Sequence, residues 1–170
     1  LDAGLKAPSS NHQRKWELVA LTEKSIILEL AQLIRPYPCR IQEPKTPQQE
    51  MFKIAYPRQR SMIEESACVI LPYFKQKYTF DNDKNGYGLM DYGAAWALVE
   101  NMLLAATAEG LGSVVHIPVK KEPEKIKAFM KIPDGYYLPA LVILGVPAKD
   151  ALLPSQVKAT VENKVHWNKW

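Results

Sequence analysis

The chain has 170 residues, of which 47% are hydrophobic and 24% charged, and it carries a net charge of +4. This balance is typical of a folded globular protein, and we expect a single domain spanning residues 1–170. The sequence shows no secretory signal, no apolar run long enough to cross a bilayer and no nucleic-acid-binding motif. We therefore expect a cytoplasmic protein with no membrane and no nucleic-acid partner, and the lone cysteine pair, Cys39 and Cys68, agrees with a reducing compartment.

The first half of the chain predicts two strands separated by helical segments. LDAGLKA is typical of the end of a helix, so we expect the sequence to begin inside the domain. The predicted elements are, in chain order, a strand over 16–22, a helix over 23–34, a proline-rich loop over 35–47, a poorer helical region over 48–65 broken near Pro57, and a buried strand over 66–74.

The second half begins with a polar, turn-rich segment over 75–88, which we take as the candidate lid. The remaining predicted elements are a long helix over 90–110, a strand over 111–119, a helix over 122–132 with Pro123 in its first turn, a strand over 136–147, and an amphipathic aromatic tail over 157–170. Helices and strands alternate, so the fold class is α+β or α/β.

The long helix is apolar on most sides, with Ala, Leu or Met at nine of the thirteen positions from Ala94 to Ala106. Such a helix is buried, either at the centre of the domain or against a partner subunit. Gly110 is the expected residue just past its carboxyl end.

The motifs of the common catalytic classes are missing from the sequence. The histidines His12, His116 and His166 have no metal-ligand spacing, and neither a serine-hydrolase elbow nor a phosphate-binding P-loop occurs. GLGS at 110–113 follows a helix and is not a dinucleotide fingerprint. With no nucleophile, acid–base pair or metal cluster in evidence, an organic cofactor is the favoured carrier of the chemistry.

The stretch APSSNHQRKW over 7–16 is unusually rich in groups that could hold such a cofactor. It sets two hydroxyls, two amides and an imidazole in a row, from Ser9 to Gln13, ahead of two cations and a tryptophan. These groups can hydrogen-bond a polar ring system, and an ordinary polar turn is the alternative reading of the same residues.

Four stretches, in order, resemble the FMN-dependent nitroreductase family. They are APSSNHQRKWELVALTEKS, DYGAAWALVENMLLAATAEGLGS, IPDGYYLPALVILGVP and KATVENKVHWNKW. The long helix running into Gly-Leu-Gly is the most specific of the four. The family's Arg-x-Ser-x-Arg arm, which would precede Leu1, does not occur in these 170 residues, and His12, Arg14 and Lys15 depart from its loop pattern.

The resemblance implies an α+β nitroreductase-like fold, with a mixed or antiparallel sheet flanked by helices around a long buried central helix. It also implies an intertwined homodimer, in which tail residues 154–170 embrace the partner subunit. FMN would accept hydride from NAD(P)H and reduce a nitroaromatic, quinone or other small-molecule acceptor by a ping-pong cycle. Under this hypothesis no side chain is catalytic, because the chemistry lies on FMN.

The implied FMN contacts fall on four parts of the chain. These contacts are Pro8, Ser9, Ser10, Asn11 and His12 in the loop, Gly112 after the helix, the backbone of Val115, His116 and Ile117, and Lys158 for the phosphate. His116 and Lys158 also have structural readings, as a buried histidine and a solvated lysine. Two alternatives remain for the whole chain: a flavin-binding protein without turnover, and a degenerate scaffold.

Overall fold

The computed structural model describes residues 1–76, 86–151 and 155–170; most of the predicted lid, residues 77–85, lies outside the described residues. The helices are α1 (Asp2–Leu5), α2 (Lys24–Gln32), α3 (Pro47–Ala55), α4 (Ser61–Glu65), α5 (Tyr87–Ala108), α6 (Glu122–Phe129) and α7 (Val161–Lys164). The strands are β1 (Trp16–Leu21), β2 (Cys68–Lys75), β3 (Gly112–His116), β4 (Tyr136–Tyr137) and β5 (Leu141–Gly145).

The described strands form one sheet in the order β1-β2-β5-β3, and β4 pairs with β2 beside β5. Every pairing is antiparallel, with Trp16 opposite Phe74 in β1 and β2 and His116 opposite Leu141 in β3 and β5. The fold is therefore α+β with an antiparallel sheet, as the resemblance predicted. Within the described residues β3 has β5 as its one strand neighbour, so one side of its backbone faces away from the sheet.

Strand β2 lies at the centre of the fold, and its two faces pack into two different cores. Val69, Leu71 and Tyr73 join the core formed with α2, α4 and α6. Ile70 and Phe74, which alternate with them, join the core formed with α5 and the Ala7–Trp16 region. Because side chains alternate along a strand, a continuous apolar run is the pattern expected of a strand covered on both faces.

Helix α5 ends where the sequence predicted, through a Schellman motif. Gly110 adopts φ 73°, a left-handed conformation that costs glycine little. Its N–H donates to the Thr107 carbonyl over 3.0 Å, and the N–H of Leu111 donates to the Ala106 carbonyl over 2.8 Å. These two bonds satisfy carbonyls at the helix end and turn the chain into β3.

Only one face of α5 is buried within the single chain. Ala95, Leu98, Val99, Met102 and Ala106 lie on that face together with Gly88. The opposite face is open, since Leu89 is 64% and Leu104 61% exposed. The expectation of burial on most sides is thus not met by one copy of the chain.

One predicted element differs from the one observed. The predicted strand over 136–147 is divided into β4 and β5, because Pro139 between them has no N–H to donate to a strand ladder. The tail forms one helical turn, α7, and Trp167 and Trp170 are 78% and 101% exposed. The predicted break in the helical region 48–65 is confirmed by the separation of α3 from α4.

Candidate functional site

The loop between α1 and β1 has a strained backbone. Ser10–His12 form a single 3-10 turn, and Asn11, His12 and Arg14 have φ angles of 50°, 58° and 45°. Residues other than glycine rarely occupy this left-handed region, and strain of this kind is concentrated at functional sites. The backbone N–H of Arg14 donates to Oγ of Ser9 over 3.0 Å, which leaves the Ser9 hydroxyl proton free to donate elsewhere.

The loop overlies a shallow floor of small residues on α5. Pro8, Ser9 and Ser10 line a concavity of about 300 Å³ together with Met90, Gly93, Ala94 and Ala97. The Ser10 hydroxyl lies 3.8 Å from Sδ of Met90. A Cβ built on Gly93 would meet nothing within 4 Å, so the floor is flat and open there. A planar ring can lie on such a floor while the serine hydroxyls reach its edge.

The second group of predicted residues lies on the edge strand β3. Gly112 is at its start, where a cavity of about 450 Å³ lies between β3, β5 and α4. Val115 and His116 are at its end, and Ile117, which follows the strand, is 50% exposed. The backbone at this end can offer hydrogen bonds to a ligand from the side of β3 that faces away from β5.

The His116 side chain does not face this ligand edge. It is 1% exposed, with Nδ1 2.7 Å from Oε1 of Gln59 and Nε2 3.2 Å from Oε2 of Glu122. The structural reading of this imidazole is therefore confirmed, and any contact of residue 116 with a cofactor would come from its backbone.

Glu122, which the sequence analysis did not single out, is the centre of this buried network. Its carboxylate is 3% exposed and accepts hydrogen bonds from the backbone N–H groups of Arg35 and Val119, at 3.0 and 2.9 Å. The Tyr37 hydroxyl donates to both carboxylate oxygens, at 3.0 and 2.9 Å. Glu122 thus fixes the turn that follows β3, including Lys120, whose φ is 59°.

The pKa values in the network follow from burial and from these bonds. Burial raises the pKa of Glu122, but the hydrogen bonds from Val119, Arg35 and Tyr37 outweigh it and lower the pKa below its ordinary value. Burial, reinforced by the adjacent carboxylate, raises the pKa of Tyr37 to about 12, so its hydroxyl remains a donor. Burial lowers the pKa of His116 against the opposing pull of Glu122.

The protonation of His116 is coupled to the orientation of the Gln59 amide. Nε2 of Gln59 donates to the Ala55 carbonyl, and this bond favours the amide orientation in which Oε1 faces Nδ1 of His116. In that orientation both ring nitrogens of His116 would have to donate. Burial of the imidazole lowers the pKa of His116 and so favours a neutral ring instead. Nε2–H then donates to Glu122, and a turned Gln59 amide donates to Nδ1.

Lys158, the predicted phosphate contact, lies on the exposed segment without regular secondary structure that precedes α7. Among the described residues it has no ion-pair partner, so its charge is available to an anion. It lines neither the cavity at Pro8–Ser10 nor the one at Gly112.

The predicted site residues therefore form separate groups in one chain. Pro8, Ser9 and Ser10 share one concavity, while Gly112, the Val115–Ile117 segment and Lys158 lie elsewhere. Asn11 and His12 are exposed on the strained loop. Trp16 is 9% exposed and belongs to the α5 core, which agrees with its predicted packing role.

In the described part of the chain, no three His, Cys, Asp or Glu side chains come together in a way that could hold a metal ion. None of the helices described here has the length and apolar character needed to cross a membrane.

This chain is similar to several known proteins, over part of its length or over most of it. A curated Thermus thermophilus protein described as an NADH dehydrogenase is 36% identical over 75 residues, which is 44% of this chain and 35% of that protein. The structure of a nitroreductase family protein from Clostridium novyi has a TM-score of 0.65 at 23% identity, covering 87% of this chain and 70% of that one.

A further structural relative carries a ligand. The structure of a nitroreductase from Bacteroides fragilis with bound FMN has a TM-score of 0.65 at 19% identity. The match covers 94% of this chain and 80% of the Bacteroides fragilis chain. At these identities the structural relatives show the fold alone. The model of the Nitroreductase family matches residues 1–146, and the chain belongs to that family.

Proposed function

We propose that the chain is an FMN-dependent oxidoreductase, active as a homodimer. Electrons would pass from NAD(P)H through bound FMN to a nitroaromatic, a quinone or another small acceptor in a ping-pong cycle. Family membership and the FMN held by the Bacteroides fragilis relative support the cofactor. The name of the Thermus thermophilus relative, described as an NADH dehydrogenase, supports the donor.

The separation of the candidate groups is the observation that carries this proposal. Within the described residues, the Ser9–Ser10 loop lines one cavity, and Gly112, at the start of β3, lines another. A second copy can bring the loop of one subunit to the β3 edge of the other. The exposed apolar face of α5 provides the surface for that contact, because large exposed apolar patches mark interaction sites.

The residues present fit FMN in shape and in charge. The flat floor at Gly93, Ala94 and Ala97 suits a planar ring, and the Ser9 and Ser10 hydroxyls suit its polar edge. The outward backbone of Val115–Ile117 would hydrogen-bond the ring, and the Lys158 ammonium would neutralise the phosphate. FMN, when bound, supplies reversible two-electron transfer; the protein's part is to bind it, orient it and exclude water.

The visible absorbance spectrum of the purified protein tests the proposal directly. We expect a flavin spectrum, present as purified or after addition of FMN, that NAD(P)H bleaches and air or a quinone restores. Sedimentation should show a dimer.

The double change Ser9→Ala/Ser10→Ala should weaken FMN binding about tenfold, through the loss of one or two hydrogen bonds to the cofactor. Ser25→Ala, on the exposed side of α2, is the matched control and should leave binding unchanged.

The outcomes separate the alternatives. Protein that takes up no FMN would contradict the proposal and favour the scaffold hypothesis. FMN binding without NAD(P)H oxidation, whatever the acceptor, would favour a flavin-binding protein. A monomer would contradict the assembly of the site from two subunits.

A further inference from the structure

The buried carboxylate of Glu122 lies directly behind the end of β3, the part of the chain that the proposed function assigns to the flavin. Its Oε2 atom is 3.2 Å from Nε2 of His116 and 2.9 Å from the backbone nitrogen of Val119. In the chain these two residues flank Ile117 and Pro118. One carboxylate oxygen therefore holds both ends of this two-residue segment.

The segment has little freedom between these two points. Pro118 is buried, and its ring fixes its φ angle. The His116 imidazole is also held at its other nitrogen, because Nδ1 lies 2.7 Å from Oε1 of Gln59. Ile117, in contrast, is 50% exposed, so the fixed segment has one side open to a ligand.

Glu122 is itself held firmly in place. It is 3% exposed and also accepts hydrogen bonds from the Tyr37 hydroxyl and from the backbone N–H of Arg35. Hydrogen bonds to an ionised acceptor are about twice as strong as those between neutral groups. A shift of the Ile117 backbone would therefore have to break contacts that come from three separate parts of the chain.

We propose that Glu122 and the His116 side chain are positioning residues for the flavin site, which fix the Ile117 backbone where it would meet the ring. This inference rests on the proposed function, and neither side chain would touch the cofactor. Reduction adds electron density to the flavin ring, so a correctly placed backbone N–H binds the reduced form more tightly than the oxidised form. Loss of the positioning contacts should therefore change the ratio of the two FMN dissociation constants.

Two substitutions of His116 separate positioning from packing. In His116→Gln the amide nitrogen can take the place of Nε2 and donate to Glu122, whereas the shorter side chain of His116→Asn reaches only the place of Nδ1. Redox titration of each FMN-loaded protein gives the midpoint potential. We expect His116→Asn to lower the ratio of the oxidised to the reduced dissociation constant by up to about tenfold, which lowers the potential by about 30 mV. His116→Gln should retain most of the wild-type value.

A control variant separates this effect from a general loss of stability. Leu30→Ala removes a fully buried side chain on α2 and should destabilise the fold without touching the Glu122 contacts. We expect its midpoint potential to equal that of the wild type.

A second readout needs no cofactor. Hydrogen exchange of the Val119 N–H in the FMN-free protein, followed by NMR, reports how often the segment opens. We expect exchange at least about threefold faster in His116→Asn than in the wild type or in His116→Gln, because the carboxylate then holds only one end of the segment.

Three results would overturn this inference while leaving the proposed function intact. They are equal potentials in His116→Asn and His116→Gln, an equal shift in Leu30→Ala, and exchange of the Val119 N–H that none of the His116 variants alters. Wild-type protein that takes up no FMN would instead contradict the proposed function, and this inference would fall with it.

Discussion

Replacing Glu122 with glutamine tests whether the buried carboxylate organises the turn after β3. The change keeps the shape of the side chain but replaces one acceptor oxygen with an NH2 group. Oε2 accepts from Val119 and from Nε2 of His116, so these two buried donors would face another donor. Turning the amide around instead sets its NH2 group against the backbone N–H of Arg35.

The magnitude follows from the number of bonds lost. A hydrogen bond to a charged acceptor contributes about 1.5–3 kcal/mol, and two are lost on the Oε2 side. Removing the charge recovers part of its desolvation cost, so we expect the free energy of unfolding to fall by about 3 kcal/mol. This is a large share of the 5–15 kcal/mol typical of a folded domain.

Urea unfolding followed by circular dichroism, at one fixed protein concentration, measures this difference. Glu124→Gln is the matched control, because Glu124 is exposed on the same helix two residues away. It should change stability by no more than about 0.5 kcal/mol. If Glu122→Gln unfolds at the same urea concentration as this control, the carboxylate is not the organising group.

Three further changes test other parts of the fold. Because the pKa of His116 lies below 6.5, the unfolded chain takes up a proton that the folded ring resists. The free energy of unfolding should therefore fall as the pH drops below about 6.5, by at most about 1.4 kcal/mol per pH unit. Urea titrations of His116→Asn should lack the part of this pH-dependent loss that comes from the imidazole. Gly4→Ala would place a Cβ 2.7 Å from Cγ of Met102, and calorimetry should show a loss of about 1–3 kcal/mol from overpacking; an unchanged melting temperature would mean that α1 shifts freely on α5. Gly110→Ala should cost about 1–2 kcal/mol at φ 73°, and a neutral result in urea would argue against the left-handed helix end.

The elements with strong local patterns could be predicted from the sequence. Helix α2 has apolar residues at helical spacing, and the uninterrupted apolar run of β2 indicates a strand covered on both faces. The end of α5 was predictable because Gly110 has a local conformational reason to be there. In each case neighbouring residues alone contain the information.

The network around Glu122 could not be predicted in this way. Two of its donors, Tyr37 and Arg35, lie 85 and 87 residues earlier in the chain, and no local period connects them with Glu122. EPEKIKAF is typical of an exposed helix start, so its first glutamate suggests solvent rather than burial. Only the tertiary contact of α6 with the loop after α2 makes that carboxylate interior.

The candidate flavin residues were chosen by resemblance, and the structure qualifies one of them. The His116 imidazole is buried and hydrogen-bonded to Gln59 and Glu122. Only the backbone of this residue therefore remains as a candidate cofactor contact. The strained loop at Asn11 and His12 gives independent physical support for a functional role there. No local pattern predicts that Oη of Tyr73 and Nε2 of Gln76 are buried without hydrogen-bond partners among the described residues, because their burial results from tertiary packing.

The long sequence separations within the Glu122 network have a consequence for the order of folding events. The Tyr37 and Glu122 side chains are 85 residues apart, so their hydrogen bond can form only after a large loop has closed. Contacts of this kind form late when local helices and the β1–β2 pairing precede them. We therefore expect removal of the Tyr37 hydroxyl to accelerate unfolding while leaving the refolding rate nearly unchanged. The network would then slow unfolding and so prolong the lifetime of the native state, without changing how quickly that state is reached.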